Sequence, residues 1–424
     1  MLESPQPTLY PESRAGSPVS ARPYTGAIAS MKPLLYSVLP RPPHPTRDGL
    51  AIRNYHLLAG LAETFRVRAA ALLSRHLEES GEYPPGTEVE EVPQAGRTLR
   101  RTAAVAGSVL AGEAYPALLY RSRSLSALLA RWVAREMPEW VVAHSYHVGP
   151  AAISCGARAW VDFHNVDSEI WRRMGESAAS AARRALARWQ APRVERVERW
   201  ILRRASGASC VSERDARVLA AFGGTPPLVV ANGVDLGRYV FRAEPPSEEM
   251  IFFVGDLTWP PNADGIRWFC AEVWPVLRHL RPPARVEILG RGGRARLEPQ
   301  AVAGISFLGE GDDTRPYWAR AAVAVVPLLA GGGTRLKILE AAACGVPVVS
   351  TPVGAEGLDF ADGSEILIAQ GAEEFGHAVA KLLADPDMRR SQATAARRRV
   401  EMLYDWRDIG RGFARELSRR ASEK

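Results

Sequence analysis

Short apolar runs alternate with longer amphipathic stretches along most of this chain. The runs at 34–40, 140–146, 250–257 and 321–329 are largely apolar and are separated by polar stretches with glycine and proline. Strands that are buried on both faces have this composition, and helices that connect parallel strands supply the cover. The pattern therefore predicts an α/β protein built on parallel sheets.

The alternation forms two series, which a polar stretch at 242–249 separates. The first series has predicted strands at 34–40, 65–74, 140–146, 157–164 and the start of 208–219. The second has predicted strands at 250–257, 284–290, 305–309, 321–329 and the start of 346–354. Doubly wound sheets bind ligands at the carboxyl ends of their strands. We therefore expect two Rossmann-like doubly wound domains that face each other across a ligand-binding cleft.

These series give the domain organisation that we predict. An N-terminal Rossmann-like domain spans 31–235, and a C-terminal Rossmann-like domain spans 236–405. The last long helix of the second domain is predicted at about 373–401. A last helix at 406–424 is predicted to return to the N-terminal domain. Residues 1–30 are rich in Pro, Ser, Gly and Thr and lack the apolar core of a signal peptide, so we expect a disordered extension or a mis-assigned start.

The composition is that of a soluble or peripheral globular protein. Hydrophobic residues make up 46% and charged residues 24% of the chain, and we find no apolar stretch of the roughly 20 residues that a membrane-spanning helix needs. The net charge of +7 suits nucleic acid, an anionic membrane surface or phosphorylated small molecules. Because zinc-finger spacing and aromatic RNA-binding strands are both missing, nucleic acid is not expected as a partner.

The four cysteines are far apart in the sequence and form no CxxC pair. This spacing is typical of buried, reduced thiols in a cytoplasmic protein, and it predicts no metal site.

An arginine-rich helical stretch with several tryptophans spans 168–205, and Pro192 is predicted to break it. One interpretation is an amphipathic cover helix with a solvated basic face. The other is a patch that faces a bound substrate or makes peripheral contact with an anionic membrane surface.

The clearest chemical signal lies at 328–358, where three glycines, Gly331 to Gly333, precede a predicted helix. Glycine lets the backbone approach a ligand closely, and the amides at a helix N-terminus bind phosphate. Thr334 is predicted to cap this helix, while Arg335 and Lys337 add cationic donors for a diphosphate. Glu340, farther along the helix, is an acceptor suited to the paired hydroxyls of a ribose.

The segment 339–358 resembles the donor-site signature of the family 4 (group 1) glycosyltransferases, which have the GT-B fold. Supporting similarity lies at 211–219, 232–235, 253–265, 286–292 and 305–313, and more loosely at 47–58 and 162–169. The resemblance implies transfer of a sugar from a nucleoside-diphosphate sugar to a glycan or lipid-linked acceptor in surface polysaccharide biosynthesis. The nucleoside-diphosphate sugar is then a substrate rather than a cofactor, and no cofactor is expected.

The resemblance also assigns roles to individual residues. Glu340 is similar to the glutamate that binds the donor ribose, and His164 is similar to a cleft histidine near the acceptor and the transferred sugar. An alternative role for His164 is a core histidine bonded to Asp162 or Asn165. The complete predicted donor site comprises Gly49, Gly255, Gly290, Gly333, Thr334, Arg335, Lys337, Glu340, Val353 and Gly354.

Two positions depart from the family pattern. The usual motif has a glutamate eight residues before Glu340, where this chain has Gly332. Most members also have an Arg and a Lys just after the glycine at position 255, where this chain reads DLTW. We expect Arg335 and Lys337 to replace that phosphate clamp. The first departure leaves open whether the reaction retains the anomeric configuration, as the family does.

Four functions compete. A metal-independent glycosyltransferase is favoured, because positioned cations and helix amides can stabilise the leaving diphosphate and His164 can orient the acceptor or move its proton. A sugar-nucleotide epimerase and a non-catalytic nucleotide-binding partner subunit are alternatives. A nicotinamide-dependent oxidoreductase is disfavoured, since no GxGxxG follows an early strand.

Overall fold

The structure is a computed structural model that describes residues 32–44, 48–73, 82–177, 180–292, 303–311 and 313–423. The extension predicted at 1–30 lies outside the described residues.

Seven strands of the described chain form the first sheet, and every neighbouring pair is parallel. They are β1 (Leu34–Leu39), β2 (Arg66–Leu73), β3 (Thr87–Pro93), β4 (Trp140–Ala143), β5 (Ala159–Phe163), β6 (Gly207–Cys210) and β7 (Leu228–Val229). Their order is β3-β2-β1-β4-β5-β6-β7. Strands β1 to β3 therefore follow one another from the centre of the sheet to one edge, and strands β4 to β7 follow one another from the centre to the other edge.

A second parallel sheet of six strands follows in the described residues. It contains β8 (Met250–Val254), β9 (Arg285–Leu289), β10 (Ile305–Gly309), β11 (Val323–Val326), β12 (Val348–Ser350) and β13 (Leu367–Ile368). The order β10-β9-β8-β11-β12-β13 repeats the scheme of the first sheet. The predicted fold class, α/β with two Rossmann-like doubly wound parallel sheets, is confirmed.

Helices cover both faces of each sheet, because the strands are apolar on both sides and need cover. The described helices are Gly49–Thr64, Arg97–Ala111, Tyr115–Leu119, Arg123–Arg135, Gly149–Ile153, Asp167–Ser177, Ala181–Arg204, Glu213–Ala220, Pro260–Trp268, Trp274–Leu280, Arg315–Trp318, Leu336–Cys344, Pro352–Ala355, Ala372–Ala384, Pro386–Leu403 and Trp406–Ser422. A π-helical turn at Phe269–Val273 joins two of them. None of the described helices combines the length and apolar character needed to cross a bilayer.

Two helix predictions were wrong in detail. Pro192 lies inside one continuous helix, Ala181–Arg204, rather than at a break. Buried residues on both sides of Pro192, among them Ala187 and Val194, hold this helix together, and their packing outweighs the cost of about 3 kcal/mol for an internal proline. The last long helix, predicted at 373–401, is divided at Asp385, whose carboxylate accepts a hydrogen bond from the Met388 amide at 2.9 Å and starts a new helix.

The final helix, Trp406–Ser422, packs against the first half of the chain. It crosses helix Gly49–Thr64 at two glycines, and a Cβ added to Gly60 would lie 2.4 Å from the carbonyl carbon of Gly410. The indole of Trp140 donates a hydrogen bond to the Leu417 carbonyl at 2.9 Å. The last helix thus shares an apolar core with β1, β2, β4 and β5.

The strand order determines where a ligand can bind. In each sheet the connections leave in opposite directions from two adjacent central strands, β1 and β4 in the first sheet, β8 and β11 in the second. A crevice forms at the carboxyl ends of such strands. The loops that follow these four strands are therefore the place to look for a site.

The helix crossing at Gly60 predicts a specific loss of stability. We expect Gly60→Ala to lower the free energy of unfolding by about 1–3 kcal/mol, because the new methyl group must push two backbones apart. Gly412→Ala is the matched control, since a Cβ there meets no atom within 4 Å and alanine favours the helix by about 0.5–1 kcal/mol. Urea denaturation measures both; equal stabilities of the two variants would contradict this packing.

Candidate functional site

Three predicted donor-site residues meet at the carboxyl ends of β8 and β9. A Cβ on Gly255 would lie 2.8 Å from Nζ of Lys337 and 2.9 Å from Nδ2 of Asn262. A Cβ on Gly290, whose φ is +156°, would lie 1.9 Å from the Gly255 carbonyl oxygen. Glycine is therefore required at position 290, where a side chain would collide with backbone, and at position 255 a Cβ would displace the ends of the Lys337 and Asn262 side chains.

The Lys337 ammonium group is held with little solvent around it. It donates a hydrogen bond to Oδ1 of Asn262 at 3.2 Å and lies 4.0 Å from the centroid of the Phe253 ring. Burial lowers the pKa of Lys337 to about 7, and the nearby positive charge of Arg335 adds to this effect. A cation that has lost its hydration in this way gains strongly from an anionic ligand.

Glu340 lies one turn farther along helix Leu336–Cys344. The indole nitrogen of Trp318 is 3.3 Å from its Oε2 and donates a hydrogen bond. Burial raises the pKa of Glu340, while Trp318 and Tyr239 oppose the shift. The carboxylate is thus oriented by a donor and keeps acceptor capacity for a ligand hydroxyl.

A cavity of about 430 Å³ borders Glu340. Ile52 and His56 from the first half of the chain line it, together with Arg238 and Trp406. The imidazole of His56 stacks on Trp406 at 5.1 Å, and burial lowers its pKa to about 4, so it is neutral near pH 7. This volume is within the range of small-molecule sites.

The three glycines at 331–333 form a loop, here called the glycine loop, whose backbone favours glycine. The φ angle is +143° at Gly331 and +71° at Gly333. Arg335 turns back onto this loop and donates hydrogen bonds to the carbonyls of Gly332 and Gly333, and to that of Val353 at 3.4 Å. Burial lowers the pKa of Arg335 to about 10. In this structure the guanidinium braces the loop, and its contact with a diphosphate stays a prediction.

The predicted cap of helix Leu336–Cys344, here called the donor helix, was wrong. The residue that precedes the helix is Arg335, which makes no side-chain cap hydrogen bond. Thr334 instead accepts a hydrogen bond from the side-chain amide of Asn232. The first amides of the helix therefore have no side-chain acceptor from the capping residue, which suits a site for an anion.

The remaining predicted donor residues have clear positions. A Cβ on Gly49 would lie 3.5 Å from the Leu336 side chain. The start of helix Gly49–Thr64 therefore meets the start of helix Leu336–Cys344. Gly354 is a close-packing position, since a Cβ there would lie 2.3 Å from Oγ of Ser350. Val353 offers its carbonyl to Arg335. The donor-binding roles of these three residues stay predictions.

His164 follows β5 and faces a buried carboxylate. Its Nε2 is 3.2 Å from Oδ2 of Asp162. Burial lowers the pKa of His164, and Asp162 opposes this shift. The contact with Asp162 is the one expected of a core histidine. The backbone carbonyl of His164 borders Gly333, where a Cβ would lie 3.4 Å away, and the role of the imidazole in the reaction stays a prediction.

Asp162 is paired with a residue that the sequence analysis missed, Arg53. The guanidinium donates to both carboxylate oxygens of Asp162 at 2.8 Å, and both side chains are at most 1% exposed. Burial disfavours the charge on Asp162, but Arg53 more than compensates and holds the pKa of Asp162 well below its usual range. The Ser209 hydroxyl donates a further hydrogen bond at 2.7 Å.

The same guanidinium extends this network to the glycine loop. Arg53 donates to the Ala231 carbonyl and to Oδ1 of Asn232, both at 3.0 Å, and Asn232 in turn donates to Thr334. His164 and Thr334, which follow strands of different sheets, are thereby joined through three polar side chains. The signal available in the sequence was an arginine directly after the apolar pair Ala51 and Ile52, in the stretch AIRNYHLL.

Another ion-pair network crosses between the two halves of the chain. Arg173 donates to both oxygens of Glu356, at 2.8 and 3.0 Å, and to the Gly331 carbonyl. Arg214 lies 2.7 Å from Glu356 and 2.6 Å from Glu169. Burial favours the neutral form of Glu356, but Arg173 and Arg214 outweigh it and lower its pKa.

Gly332 lies beside Ile170, and a Cβ added to Gly332 would be 2.9 Å from Cγ1 of that side chain. A glutamate in this position would need Ile170 to move. The glycine at position 332, where the family motif has a glutamate, is therefore accompanied by Ile170, an apolar side chain in the space that a glutamate side chain would enter.

The arrangement can hold an anionic, hydroxyl-rich ligand. Lys337 supplies a positive charge, three glycine-containing turns supply close backbone, and Glu340 supplies an acceptor. Within the described residues, no group of three or more His, Cys, Asp or Glu side chains is arranged to hold a metal ion.

Comparison with known proteins identifies the family. A model of "Glycosyltransferase Family 4" matches residues 47–238, and a model of "Glycosyl transferases group 1" matches residues 248–385. A phosphatidyl-myo-inositol mannosyltransferase of Propionibacterium freudenreichii is 29% identical over 222 residues, which are 49% of this chain and 54% of that protein. The chain spans about half the length of the curated relatives it matches.

Two solved structures have the same fold. Sucrose-phosphate synthase from Thermosynechococcus elongatus has a TM-score of 0.70 and 16% identity, over 92% of this chain and 100% of that chain. HepE of Anabaena, in complex with UDP-glucose, has a TM-score of 0.64 and 14% identity, over 91% of this chain and 100% of that chain. The two family models together span most of the chain, on either side of the junction between the sheets, and the chain is therefore a member of the family 4 (group 1) glycosyltransferases with the GT-B fold.

Proposed function

We propose that this chain is a glycosyltransferase that moves a sugar from a nucleoside-diphosphate sugar to a hydroxyl group of a glycan or lipid-linked acceptor. The observation that carries the proposal is the convergence of Gly255, Gly290, Lys337 and Glu340 around helix Leu336–Cys344. Membership of the family supports it. HepE, which has the same fold, binds UDP-glucose.

In this reaction the acceptor oxygen forms a bond to the anomeric carbon of the sugar. The bond between that carbon and the diphosphate oxygen breaks, and the electron pair leaves with the nucleoside diphosphate. Lys337 and the first amides of helix Leu336–Cys344 stabilise the charge that develops there. Glu340 accepts hydrogen bonds from the ribose hydroxyls. No step is assigned to a metal ion.

The acceptor proton needs a path out of the reaction centre. Burial keeps His164 neutral, so it can orient the acceptor hydroxyl or accept its proton, and Asp162 stabilises the imidazolium that would form. Retention of the anomeric configuration follows the family pattern and is part of the proposal. NMR of the product's anomeric proton distinguishes retention from inversion.

A non-catalytic nucleotide-binding partner subunit is the second candidate. One observation favours it: Gly332 replaces the glutamate that contacts the transferred sugar in most members, and Ile170 occupies the adjacent space. An epimerase is the third candidate, since it would use the same nucleotide site. Binding of a nucleotide sugar without transfer or hydrolysis would favour the partner subunit, and isomerisation of the donor would favour the epimerase.

We propose that the enzyme works in the bacterial cytoplasm, in peripheral contact with the anionic inner membrane face. Helix Arg97–Ala111 supports this placement. Its outward face carries Leu99, Val105, Val109 and Leu110, which are 52–86% exposed, and the exposed Arg101 lies near its start. An exposed apolar helix face with an arginine at its start suits the interface of an anionic bilayer.

A thermal-shift panel tests the donor site. We expect one nucleoside diphosphate among UDP, GDP and ADP, and its sugar conjugate, to stabilise the protein, by about 2.7 kcal/mol at one hundred times the Kd. Glu340→Ala should lose most of this stabilisation, whereas Glu310→Ala, an exposed glutamate after β10, should keep it. No stabilisation by any nucleotide, or equal shifts in Glu340→Ala and the wild type, would contradict the proposal.

The pKa of Lys337 predicts how donor affinity depends on pH. The ammonium loses its proton near pH 7 in the free protein, and a bound diphosphate favours the charged form. Binding therefore takes up a proton above pH 7, and the Kd of the stabilising nucleotide sugar should rise by up to about tenfold per pH unit. Calorimetric titrations from pH 6 to 9 measure this dependence.

Lys337→Arg is the control for this prediction, because a guanidinium keeps its charge over the whole range. The variant should bind with little dependence on pH. A wild-type Kd that stays constant from pH 7 to 9 would show that Lys337 does not face the diphosphate.

The membrane placement predicts the effect of one surface change. Leu110→Asp should reduce cosedimentation with phosphatidylglycerol vesicles severalfold, because it puts a charge on the apolar face. Met402→Asp is the matched control, since Met402 is also exposed, at 68%, but lies in another helix. Equal losses in the two variants would point to charge alone, and no loss in either would exclude this helix as the contact.

A further inference from the structure

A second cavity, of about 490 Å³, lies within the first half of the chain. It is bounded by the end of helix Arg97–Ala111, the start of helix Arg123–Arg135, helix Gly149–Ile153 and helix Ala181–Arg204. None of the predicted donor residues lines it. The donor chemistry therefore does not account for this cavity.

The cavity has an excess of positive charge. Among the described residues that line it are Arg121, Arg193 and Arg196 and one carboxylate, that of Glu113, which pairs with Arg121. Arg193 donates to the Trp189 carbonyl at 2.6 Å, and Arg196 donates to the Pro192 carbonyl at 3.4 Å. In the part of the chain that the structure describes, neither of these two arginines forms an ion pair. The Arg193 guanidinium also lies 4.1 Å from the centroid of the Trp189 ring. Both guanidinium charges are thus without a carboxylate partner among the described residues, and an anionic ligand could supply one.

Two further features of the cavity suit an anion. Nε of Arg193 is buried and has no hydrogen-bond partner within the described residues. Ser122, which lines the cavity, caps the 13-residue helix Arg123–Arg135, so the positive end of that helix dipole lies at the same wall. The rest of the wall includes Ala117 and Val197, which suit the apolar part of an organic ligand.

The cavity reaches the edge of the sheet at which the proposed reaction occurs. His147 lines it and follows β4, while His164 follows the neighbouring strand β5. Nε2 of His147 is 3.9 Å from the carboxylate of Asp167, at the start of the helix that follows His164. The cavity wall at His147 and the proposed reaction centre at His164 therefore follow adjacent strands at the same edge of the sheet.

We infer that this cavity binds the phosphate group of the acceptor, so that the sugar is added to a phosphate-bearing molecule held by Arg193 and Arg196. The inference rests on the proposed function and specifies its substrate class. Two kinds of molecule supply this chemistry, a phospholipid headgroup and a free sugar or polyol phosphate. The volume of the cavity, about 490 Å³, is large enough for a phospholipid headgroup and for a free sugar or polyol phosphate.

Binding to two phosphate probes tests the inference on the full chain. The free probe is glycerol 3-phosphate, with glycerol as its uncharged counterpart, and the lipid probe is a vesicle of phosphatidic acid in phosphatidylcholine. We expect the wild type to bind at least one phosphate probe, and Arg193→Gln/Arg196→Gln to bind it at least tenfold more weakly. Binding of glycerol 3-phosphate supports a free phosphate, and binding of the vesicle alone supports a headgroup.

The matched control is Arg183→Gln/Arg203→Gln, which removes the same charge from exposed positions of the same helix outside the cavity. It should bind the probes within twofold of the wild type. Equal affinities of the two double variants, or no binding of either probe to the wild type, would overturn the inference. Nucleotide stabilisation should be the same in both double variants, so a failure of the donor site would be visible separately.

Discussion

The buried ion pair between Arg53 and Asp162 is the interaction on which the arrangement of the cleft depends. The pair joins helix Gly49–Thr64 to β5. The Arg53 guanidinium also donates hydrogen bonds to the carbonyl of Ala231 and to the side chain of Asn232. Removing one partner of a buried pair usually costs about 3–5 kcal/mol, because the other charge is left without compensation. His164 on one side and Thr334 on the other are held through this one guanidinium.

The donor side of the cleft depends on a different constraint, the close approach of backbones. The Gly255 carbonyl packs against Gly290, and the Lys337 ammonium lies beside this contact, bonded to Asn262. The burial that lowers the pKa of Lys337 disfavours its charged form in the free protein, and an anionic ligand would favour that form. Charged groups with shifted pKa values are typical of sites where charge must be stabilised during a reaction.

Much of the fold could be predicted from the sequence, because strands buried on both faces form apolar runs that stand out between helices. The glycines and the charged residues at 328–345 were also visible, since they are adjacent in the chain. The Arg53–Asp162 pair, the turn of Arg335 onto its own loop and the link from Arg173 to Glu356 were not. The two ion pairs join residues far apart in the sequence, and local pattern contains no information about such contacts. Arg335 bonds to neighbouring carbonyls, but the direction of its side chain also depends on tertiary packing, since it reaches the Val353 carbonyl as well. Pro192 was misjudged for the same reason, because tertiary packing outweighed a local preference.

A crystal structure of the chain with a bound nucleotide sugar tests the central claim most directly. The account predicts ribose hydroxyls within hydrogen-bond distance of the Glu340 carboxylate and a diphosphate between Lys337, Gly255 and the first amides of helix Leu336–Cys344. It also predicts that the sugar points toward His164. A nucleotide bound elsewhere, or one whose diphosphate lies beyond contact with Lys337 and the donor helix, would contradict the account.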